Sequence, residues 1–276
     1  MKENETSDNC EKWGEHMRIV SICPSNTEIV AFLGQTHLLV GVDNYSDYPE
    51  EVNSLPKLGP DLSIDLDQVE ALQPDLVLAS LSVPGMDKNI QGLEEKGLPY
   101  IILNPNSLYE IAEDIRTVGH HLGVEKLAEE KAESFLREVD RYREEAERKL
   151  HKPTLYWEWW PKPVFTPGHS NWLTEISELA GAINVFETEK GASVQTDWDQ
   201  VKSRNPEHIC MVWVGVKEEK MNPDHIRKRP GWSEVEAVKE NRIHVLEESL
   251  YCRPSPRLLE GLRKLKGILE GETEKK

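Results

Sequence analysis

The sequence predicts an α/β protein of two lobes joined by one long helix. In both halves of the chain, short apolar runs alternate with amphipathic segments, as in parallel sheets covered by helices on both faces. Between the halves, residues 125–150 contain no glycine or proline, and their apolar residues recur at steps of three and four. This spacing predicts a single amphipathic helix of about 39 Å, at 1.5 Å per residue.

The first lobe is predicted from four strand segments that alternate with helical ones. Residues 18–23 form a buried apolar run, and the Pro-Ser-Asn-Thr-Glu sequence after it supplies residue types that begin a helix. Gly34 and Gly97 stand where two helices should end, because glycine takes the left-handed conformation readily. The predicted strands are residues 18–23, 38–42, 76–79 and 100–103, and the predicted helices are residues 27–33, 64–72, 89–96 and 107–122.

The alternation resumes after Pro153 and predicts the second lobe. We place the first lobe at residues 17–124, the bridging helix at 125–151 and the second lobe at 152–270. A polar head (residues 1–16), which we expect to be disordered, and a polar tail (271–276) flank them. The predicted strands are residues 154–159, 209–214 and 242–245, and the predicted helices are residues 172–180, 198–203, 232–239 and 256–269.

Composition argues against several classes of partner. The chain has 276 residues and a net charge of −17, whereas nucleic-acid binding needs a basic stripe and an anionic membrane surface would repel this charge. No apolar stretch could form a signal-peptide core or a membrane span, so the chain as written is expected in the cytoplasm unless a leader was removed. The four cysteines form no CxxC pair, which favours buried free thiols over a metal site or disulfides.

The segment 156–169 concentrates large aromatic side chains. Trp157, Trp159 and Trp160 fall within four positions and are followed by three prolines and a glycine. In a strand, Trp157 and Trp159 would share one face, and the prolines should then lead the chain out of the sheet. A core strand with a rigid turn is one interpretation. We favour a binding surface for a large, partly apolar ligand at the strand end, with Trp157 in the core.

One sequence pattern occurs in both lobes. Residues 65–75 and 197–207 each begin Asp-x-Asp-Gln-Val and reach a proline followed by an acid, with an apolar strand after it. Aspartate at a helix start accepts hydrogen bonds from free amides, so simple capping explains the pattern. The alternative is that Asp67 and Asp199 present matching negative charges at equivalent corners of the two lobes.

Five short motifs occur in an order and spacing that match a known family: Pro24–Glu28, Val40–Val42, Tyr45–Pro49, Pro74–Val77 and Arg253–Arg257. On these motifs the chain resembles the substrate-binding proteins of iron-siderophore and cobalamin ABC importers. The resemblance covers about residues 18–270, and the Tyr-Ser-Asp-Tyr-Pro loop and the Ser-Pro-Arg ending are closest to the vitamin B12-binding branch. It implies two Rossmann-like lobes joined by one helix (the class III periplasmic-binding-protein type), a ligand in the cleft between them, and an ABC permease as partner.

The resemblance also implies roles for individual residues. Aromatic side chains would pack flat against a corrin ring, because rigid side chains lose little entropy on stacking. Arg253 would donate to amide oxygens on the ring periphery. Asp67 and Asp199 stand where the family places permease-docking glutamates, and two of the family's aromatic positions fall near Asp61 and Ser193. The aromatic candidates are Tyr45, Tyr48, Trp159, Trp160, Phe165 and Trp172.

Two residues leave alternatives open. His169 could be an axial cobalt ligand, since imidazole binds cobalt well, but in its Pro-Gly-His-Ser-Asn turn it could equally be hydrogen-bonded or exposed. Trp213, at the end of a central strand, could belong to the core or face the ligand.

The sequence favours binding without catalysis. It has no GxSxG, Walker or HExxH motif, so we assign no catalytic residue and no resident cofactor or metal. The function expected from the resemblance is binding of cobalamin or a related corrinoid by a monomer outside the cytoplasm. Binding of haem or a ferric siderophore is the first alternative. A cytosolic enzyme or chaperone that handles corrinoids is the second, and it would fit the absence of a leader.

Overall fold

The computed structural model describes residues 17–83 and 85–271 in two compact units. The N-terminal unit runs to Pro105 and includes Tyr109–Phe135, and the C-terminal unit comprises Asn106–Leu108 and the chain from Leu136 onward. The predicted disordered head (1–16) and residues 272–276 of the predicted tail lie outside the described residues.

The N-terminal unit contains a four-stranded parallel sheet in the order β2-β1-β3-β4. Its core joins Val20, Val77 and Ala79 of the strands to Val69 and Leu93 of the covering helices. The strands are β1 (Ile19–Ser21), β2 (Leu39–Val42), β3 (Leu76–Ser80) and β4 (Tyr100–Leu103), and the helices of this part of the chain are α1 (Pro24–Phe32), α2 (Leu66–Ala71), α3 (Asp87–Lys96), α4 (Leu108–His121) and α5 (Glu125–Glu147).

The long helix α5 follows from its apolar spacing. The residues at steps of three and four from Ala128 to Ala146 are buried, while the residues between them are mostly exposed. The prediction extended the helix to residue 150, but Leu150 lies beyond its end and is fully exposed. The boundary between the two compact units falls within α5, between Phe135 and Leu136. No helix in the described ranges is both long and apolar enough to cross a membrane.

The C-terminal unit contains a second parallel sheet, in the order β11-β10-β5-β8. Trp157 in β5 is fully buried and its Nε1 donates to Ser177 Oγ (2.9 Å), so it is a core residue. The strands are β5 (Thr154–Glu158), β6 (Trp160–Pro161), β7 (Val164–Pro167), β8 (Ile183–Asn184), β9 (Ser193–Thr196), β10 (His208–Met211) and β11 (Ile243–Val245), and the helices are α6 (Trp172–Leu179), α7 (Trp198–Arg204), α8 (Asp224–Arg227), α9 (Glu236–Lys239), α10 (Glu248–Tyr251) and α11 (Leu258–Leu269).

The chain leaves the parallel sheet at the end of β5, before the prolines, and then enters a second sheet that the sequence did not predict. β6, β7 and β9 form a separate antiparallel sheet in that order, and Trp159 N donates to Phe165 O (3.0 Å). In an antiparallel pair only alternate residues form hydrogen bonds to the partner strand. A proline, which lacks a backbone N–H, can therefore occupy one of the positions that does not donate to that strand. Since β5 ends at Glu158, Trp157 and Trp159 do not share a strand.

One predicted helix is also different in the structure. Residues 232–239 form a 3₁₀ turn (Trp232–Glu234) and the short helix α9, because Val235 between them is extended (φ −70°, ψ 132°).

Candidate functional site

The loop after β2 exposes two tyrosines. Tyr45 is 47% exposed and Tyr48 is 44% exposed. The buried Asp43 carboxylate holds this loop, because its Oδ1 accepts from the backbone N of Tyr45 (2.7 Å) and of Ser46 (3.1 Å). Burial raises the pKa of Asp43 to about 6, although these hydrogen bonds favour its charged form. The two tyrosines therefore lie on a loop that the hydrogen bonds to Asp43 hold in place.

Two further apolar side chains of the N-terminal unit are exposed and were missed by sequence reasoning. Leu81 is 38% exposed and directly follows β3, and Leu62 is 44% exposed in the loop before α2. Asp61 is partly exposed, and its carbonyl accepts from Asn89 Nδ2 (2.6 Å). The sequence did contain a signal for Leu81, since it is an apolar residue just after a predicted strand.

The antiparallel sheet of the C-terminal unit presents an aromatic face to solvent. Trp160, Phe165 and Gln195 are paired across the three strands, so their side chains lie on one face. Trp160 is 41% exposed, and Phe165 is partly exposed. The neighbours of Phe165 along β7, Val164 and Thr166, are buried on the opposite face. We call Trp160, Phe165, Ser193 and Gln195 the aromatic sheet face.

Of two further predicted aromatic contacts, Trp159 is partly exposed and Trp172 is buried. The ring of Trp159 packs on that of Trp172, with centroids 6.0 Å apart, and its buried Nε1 has no hydrogen-bond partner in the described ranges. Trp172 is 6% exposed and donates its Nε1 to Tyr251 O (2.8 Å). Trp172 therefore supports Trp159 from inside and offers little surface of its own.

His169 is exposed in the turn after β7. Its backbone N donates to Glu189 O (2.8 Å), and its Nδ1 lies 3.0 Å from Glu187 O. A carbonyl oxygen only accepts, so this contact requires the proton on Nδ1 and leaves the lone pair on Nε2. That is the state in which an imidazole binds a metal. The described ranges hold no cluster of three or more histidine, cysteine or acidic residues suited to a metal ion.

Arg253 is buried, in contrast to the exposed tyrosines. It is 7% exposed in the turn between α10 and α11, and its guanidinium contacts Glu248 Oε2 from Nε (3.3 Å) and Nη2 (3.2 Å). Donation from Arg253 to a ligand would have to be shared with this carboxylate.

A buried ion pair underlies the aromatic residues at the end of β5. Glu158 is completely buried and accepts from Arg229 Nη1 (2.6 Å) and Nη2 (2.8 Å). Trp213 Nε1 (3.1 Å) and Tyr156 OH (3.2 Å) donate to the same carboxylate. The Arg229 guanidinium also lies 4.6 Å from the ring of Trp198. Sequence reasoning missed this network, although a glutamate among tryptophans signals a need for a buried cation.

The repeated acidic motif has the same geometry in both units. Asp65 and Asp197 are the N-caps, since their carboxylates accept from the backbone N of the residue three positions later at 3.0 Å and 2.8 Å. The second acids of the two motifs, Asp67 and Asp199, are therefore not needed as N-caps. Asp67 is 90% exposed beside Lys96 (2.6 Å), and Asp199 is 86% exposed beside Lys202 (2.8 Å).

The cysteines of the described part of the chain are free thiols. Cys23 and Cys210 are buried and Cys252 is half-buried, whereas Cys10 lies outside the described residues.

The chain thus has two α/β units, exposed aromatic side chains near strand ends, and one exposed aspartate in the first turn of a short helix in each unit. This arrangement is typical of a ligand-binding protein. The profile of the periplasmic binding protein family matches residues 19–250, and the chain belongs to this family. The chain is 32% identical over 271 residues to the uncharacterized ABC transporter substrate-binding lipoprotein YvrC of Bacillus subtilis, which covers 95% of this chain and 82% of the relative. This chain is therefore a substrate-binding protein of an ABC importer. Proteins of this family are not enzymes.

Other relatives differ in the ligand that their names give. The chain is 26% identical to the vitamin B12-binding protein of Vibrio campbellii, over 90% of this chain and 88% of the relative. The solved structure of the periplasmic heme-binding protein RhuT of Roseiflexus sp. RS-1 superposes with a TM-score of 0.81 at 23% identity, covering 93% of this chain and 99% of that one. The fold is thus shared by proteins named for different macrocycles.

Proposed function

We propose that this chain binds cobalamin or a related corrinoid and presents it to the permease of an ABC importer. The observation that carries the proposal is the aromatic sheet face, on which Trp160 and Phe165 lie side by side and exposed. Flat, rigid side chains suit a large conjugated ring, because stacking on them orders few rotatable bonds. The vitamin B12-binding relative supports this choice of ligand.

Further contacts are proposed for other predicted residues. The exposed rings of Tyr45 and Tyr48 are the proposed contribution of the N-terminal unit, on the loop that Asp43 fixes. His169 is the proposed cobalt ligand, because its Nδ1 contact leaves the Nε2 lone pair for a metal. Arg253 is proposed to donate to amide oxygens on the ring periphery.

The proposed ligand is tested by calorimetric titration with cyanocobalamin and with hemin. The wild-type chain should bind cyanocobalamin, and Trp160→Ala should weaken binding by at least about 30-fold, as a central aromatic contact worth about 2 kcal/mol does. Tyr109→Ala is the matched control, because Tyr109 is 61% exposed on helix α4 and belongs to no proposed contact. No heat of binding with cyanocobalamin at high micromolar concentration would refute the proposal.

Haem is a second candidate, favoured by the donors on the surface. Imidazole and phenol are side-chain types that hold haem iron, and His169, Tyr45 and Tyr48 are all exposed. If hemin binds and cyanocobalamin does not, the absorbance spectra of His169→Ala and Tyr45→Phe with hemin would show which residue ligates the iron.

The proposed permease contact depends on Asp67 and Asp199. Both carboxylates are exposed on short helices that other aspartates cap, so their charge is available to a basic partner. Replacing both by lysine should lower cobalamin uptake by cells while cobalamin affinity in solution stays within about 2-fold, since neither residue is in a proposed ligand contact. Unchanged uptake would argue against docking through these residues.

A further inference from the structure

A second binding surface lies next to the aromatic sheet face, within the C-terminal unit. It is a pocket of about 460 Å³, which is within the range of small-molecule sites. Three tryptophans, Trp160, Trp198 and Trp213, form its aromatic lining. Because Trp160 belongs to both surfaces, a ligand that stacks on the sheet face would have this pocket directly beside it.

The three indoles are held by their own N–H groups. Trp160 Nε1 donates to Lys162 O (3.1 Å), Trp198 Nε1 to Pro161 O (3.1 Å) and Trp213 Nε1 to Glu158 Oε1 (3.1 Å). Every indole donor is therefore already used, and the rings offer a ligand their flat faces, next to Lys162 and Arg229 at Trp198 and next to His225 at Trp213 (centroids 5.9 Å apart). Such a pocket favours a planar aromatic group over a group that must receive hydrogen bonds from indole nitrogen.

The pocket is positive although the whole chain is strongly negative. Lys162, Lys228 and Arg229 line it together with Asp224, and Glu158 neutralises Arg229, which leaves 3 − 2 = +1 in a chain of net charge −17. Asp224 is shared between Lys228 (3.2 Å) and Arg227 (3.0 Å). A cationic pocket favours an anionic ligand group.

Two of these cations have capacity for an anion. Lys162 Nζ lies 4.8 Å from the centroid of the Trp198 ring, at the edge of the aromatic lining. Lys228 is exposed and shares Asp224 with Arg227, whereas Arg229 is 4% exposed and uses its two terminal nitrogens to hold Glu158. Aromatic faces together with unused cationic donors are the combination that recognises an aromatic base joined to a phosphate.

We propose that this pocket binds an aromatic base linked to a phosphate, and that in the corrinoid it takes the lower nucleotide. This inference rests on the proposed function. Cobalamin carries a benzimidazole ribose phosphate on its corrin ring, whereas cobinamide lacks it. The chain then selects complete corrinoids. The ring packs on the aromatic sheet face, the benzimidazole leaves cobalt as the proposed ligand His169 takes its place, and the nucleotide lies between Trp198 and Trp213 with its phosphate near Lys162.

The test compares cyanocobalamin with dicyanocobinamide by calorimetry. The wild-type chain should bind cyanocobalamin at least about 10-fold more tightly, because stacking of one base on an aromatic side chain is worth about 1–3 kcal/mol. The double variant Lys162→Gln, Lys228→Gln should reduce this ratio to about 3-fold or less. Lys239→Gln is the matched control and should keep the wild-type ratio, because Lys239 is exposed, forms an ion pair with Glu234 (3.2 Å) and does not line the pocket.

The outcomes separate the two proposals. Equal affinity of the wild-type chain for the two corrinoids overturns the nucleotide pocket but leaves corrinoid binding intact. A double variant with the wild-type ratio also overturns the pocket. Absence of binding by both corrinoids refutes the proposed function and the pocket together. As a direct check, α-ribazole 5′-phosphate alone should quench tryptophan fluorescence of the wild-type chain, more weakly in the double variant, and no quenching in either contradicts the pocket.

Discussion

Replacing Arg229 by methionine should destabilise the C-terminal unit by about 3–5 kcal/mol. The variant removes the only cation that contacts the Glu158 carboxylate among the described residues, at a site where the glutamate side chain is 0% exposed. Methionine fills a similar volume and packs well on the two indole rings, so the cost comes from the stranded charge more than from a cavity.

The magnitude follows from what remains around Glu158. Without Arg229, its carboxylate would keep only the neutral donors Trp213 Nε1 and Tyr156 OH. Two neutral hydrogen bonds do not replace an ion pair with donor distances of 2.6 and 2.8 Å in a dry environment. Contacts of the guanidinium with Trp198 and Trp232, each 4.6 Å from a ring centroid, are lost as well and add to the destabilisation.

Tryptophan fluorescence reports this unit selectively. Of the eight tryptophans, only Trp13 precedes the C-terminal unit, so unfolding in urea followed at the indole emission reports residues 136 onward once Trp13 is replaced by phenylalanine. Far-UV circular dichroism reports both units, and comparison of the two signals shows whether they unfold together.

A double-mutant cycle with Glu158→Gln completes the test. Glutamine keeps an acceptor for Trp213 but leaves Arg229 as an unpaired buried cation, so this variant should also lose about 3–5 kcal/mol. The double variant should be more stable than the sum of the single effects by at least about 2 kcal/mol, because neither charge is then stranded. Single effects below about 1 kcal/mol, or effects that simply add, would refute the buried ion pair as described.

Three other predictions concern the rest of the chain. Because burial raises the pKa of Asp43 from 3.8 to about 6, the folded state binds its proton more tightly, and its contribution to stability should be lost as pH rises through that interval. Asp43→Asn should remove a slope of up to about 1.4 kcal/mol per pH unit in urea unfolding followed by circular dichroism, and an unchanged slope would contradict this. Gly119→Ala should destabilise the N-terminal unit by about 1–3 kcal/mol despite alanine's helix propensity, because its Cβ would lie 2.1 Å from that of Ala128; a stability equal to wild type would disprove this close approach. Burial raises the thiol pKa of Cys23 to about 11 and that of Cys210 still further, so iodoacetamide should label neither in the native protein at about pH 8, and mass spectrometry showing rapid labelling of either would be the contrary result.

Local patterns in the sequence were sufficient for most of the fold. The apolar steps from Ala128 to Ala146 predicted α5 almost to its end, because a helix buries residues at a spacing set by its own geometry. Seven of the eight strands in the two parallel sheets were found as short apolar runs, whereas β8 (Ile183–Asn184), which has only two residues, was missed. The antiparallel sheet of β6, β7 and β9 was missed, since its strands are short, β6 and β7 contain prolines, and β7 pairs with β9 between residues distant in the sequence, such as Val164 and Thr196.

The candidate site, like the fold, was predicted from the sequence only where it depends on neighbouring residues. Sequence determined that large aromatic side chains follow β5 and that an acid lies in the first turn of two equivalent helices, because each is a matter of neighbouring residues. Only tertiary structure decided that Trp157 is core while Trp160 is 41% exposed, and that Trp172 supports another indole. It also joined Glu158 to Arg229, 71 positions apart. Such long-range pairings depend on how elements pack, and residue type and spacing along the chain carry no record of them.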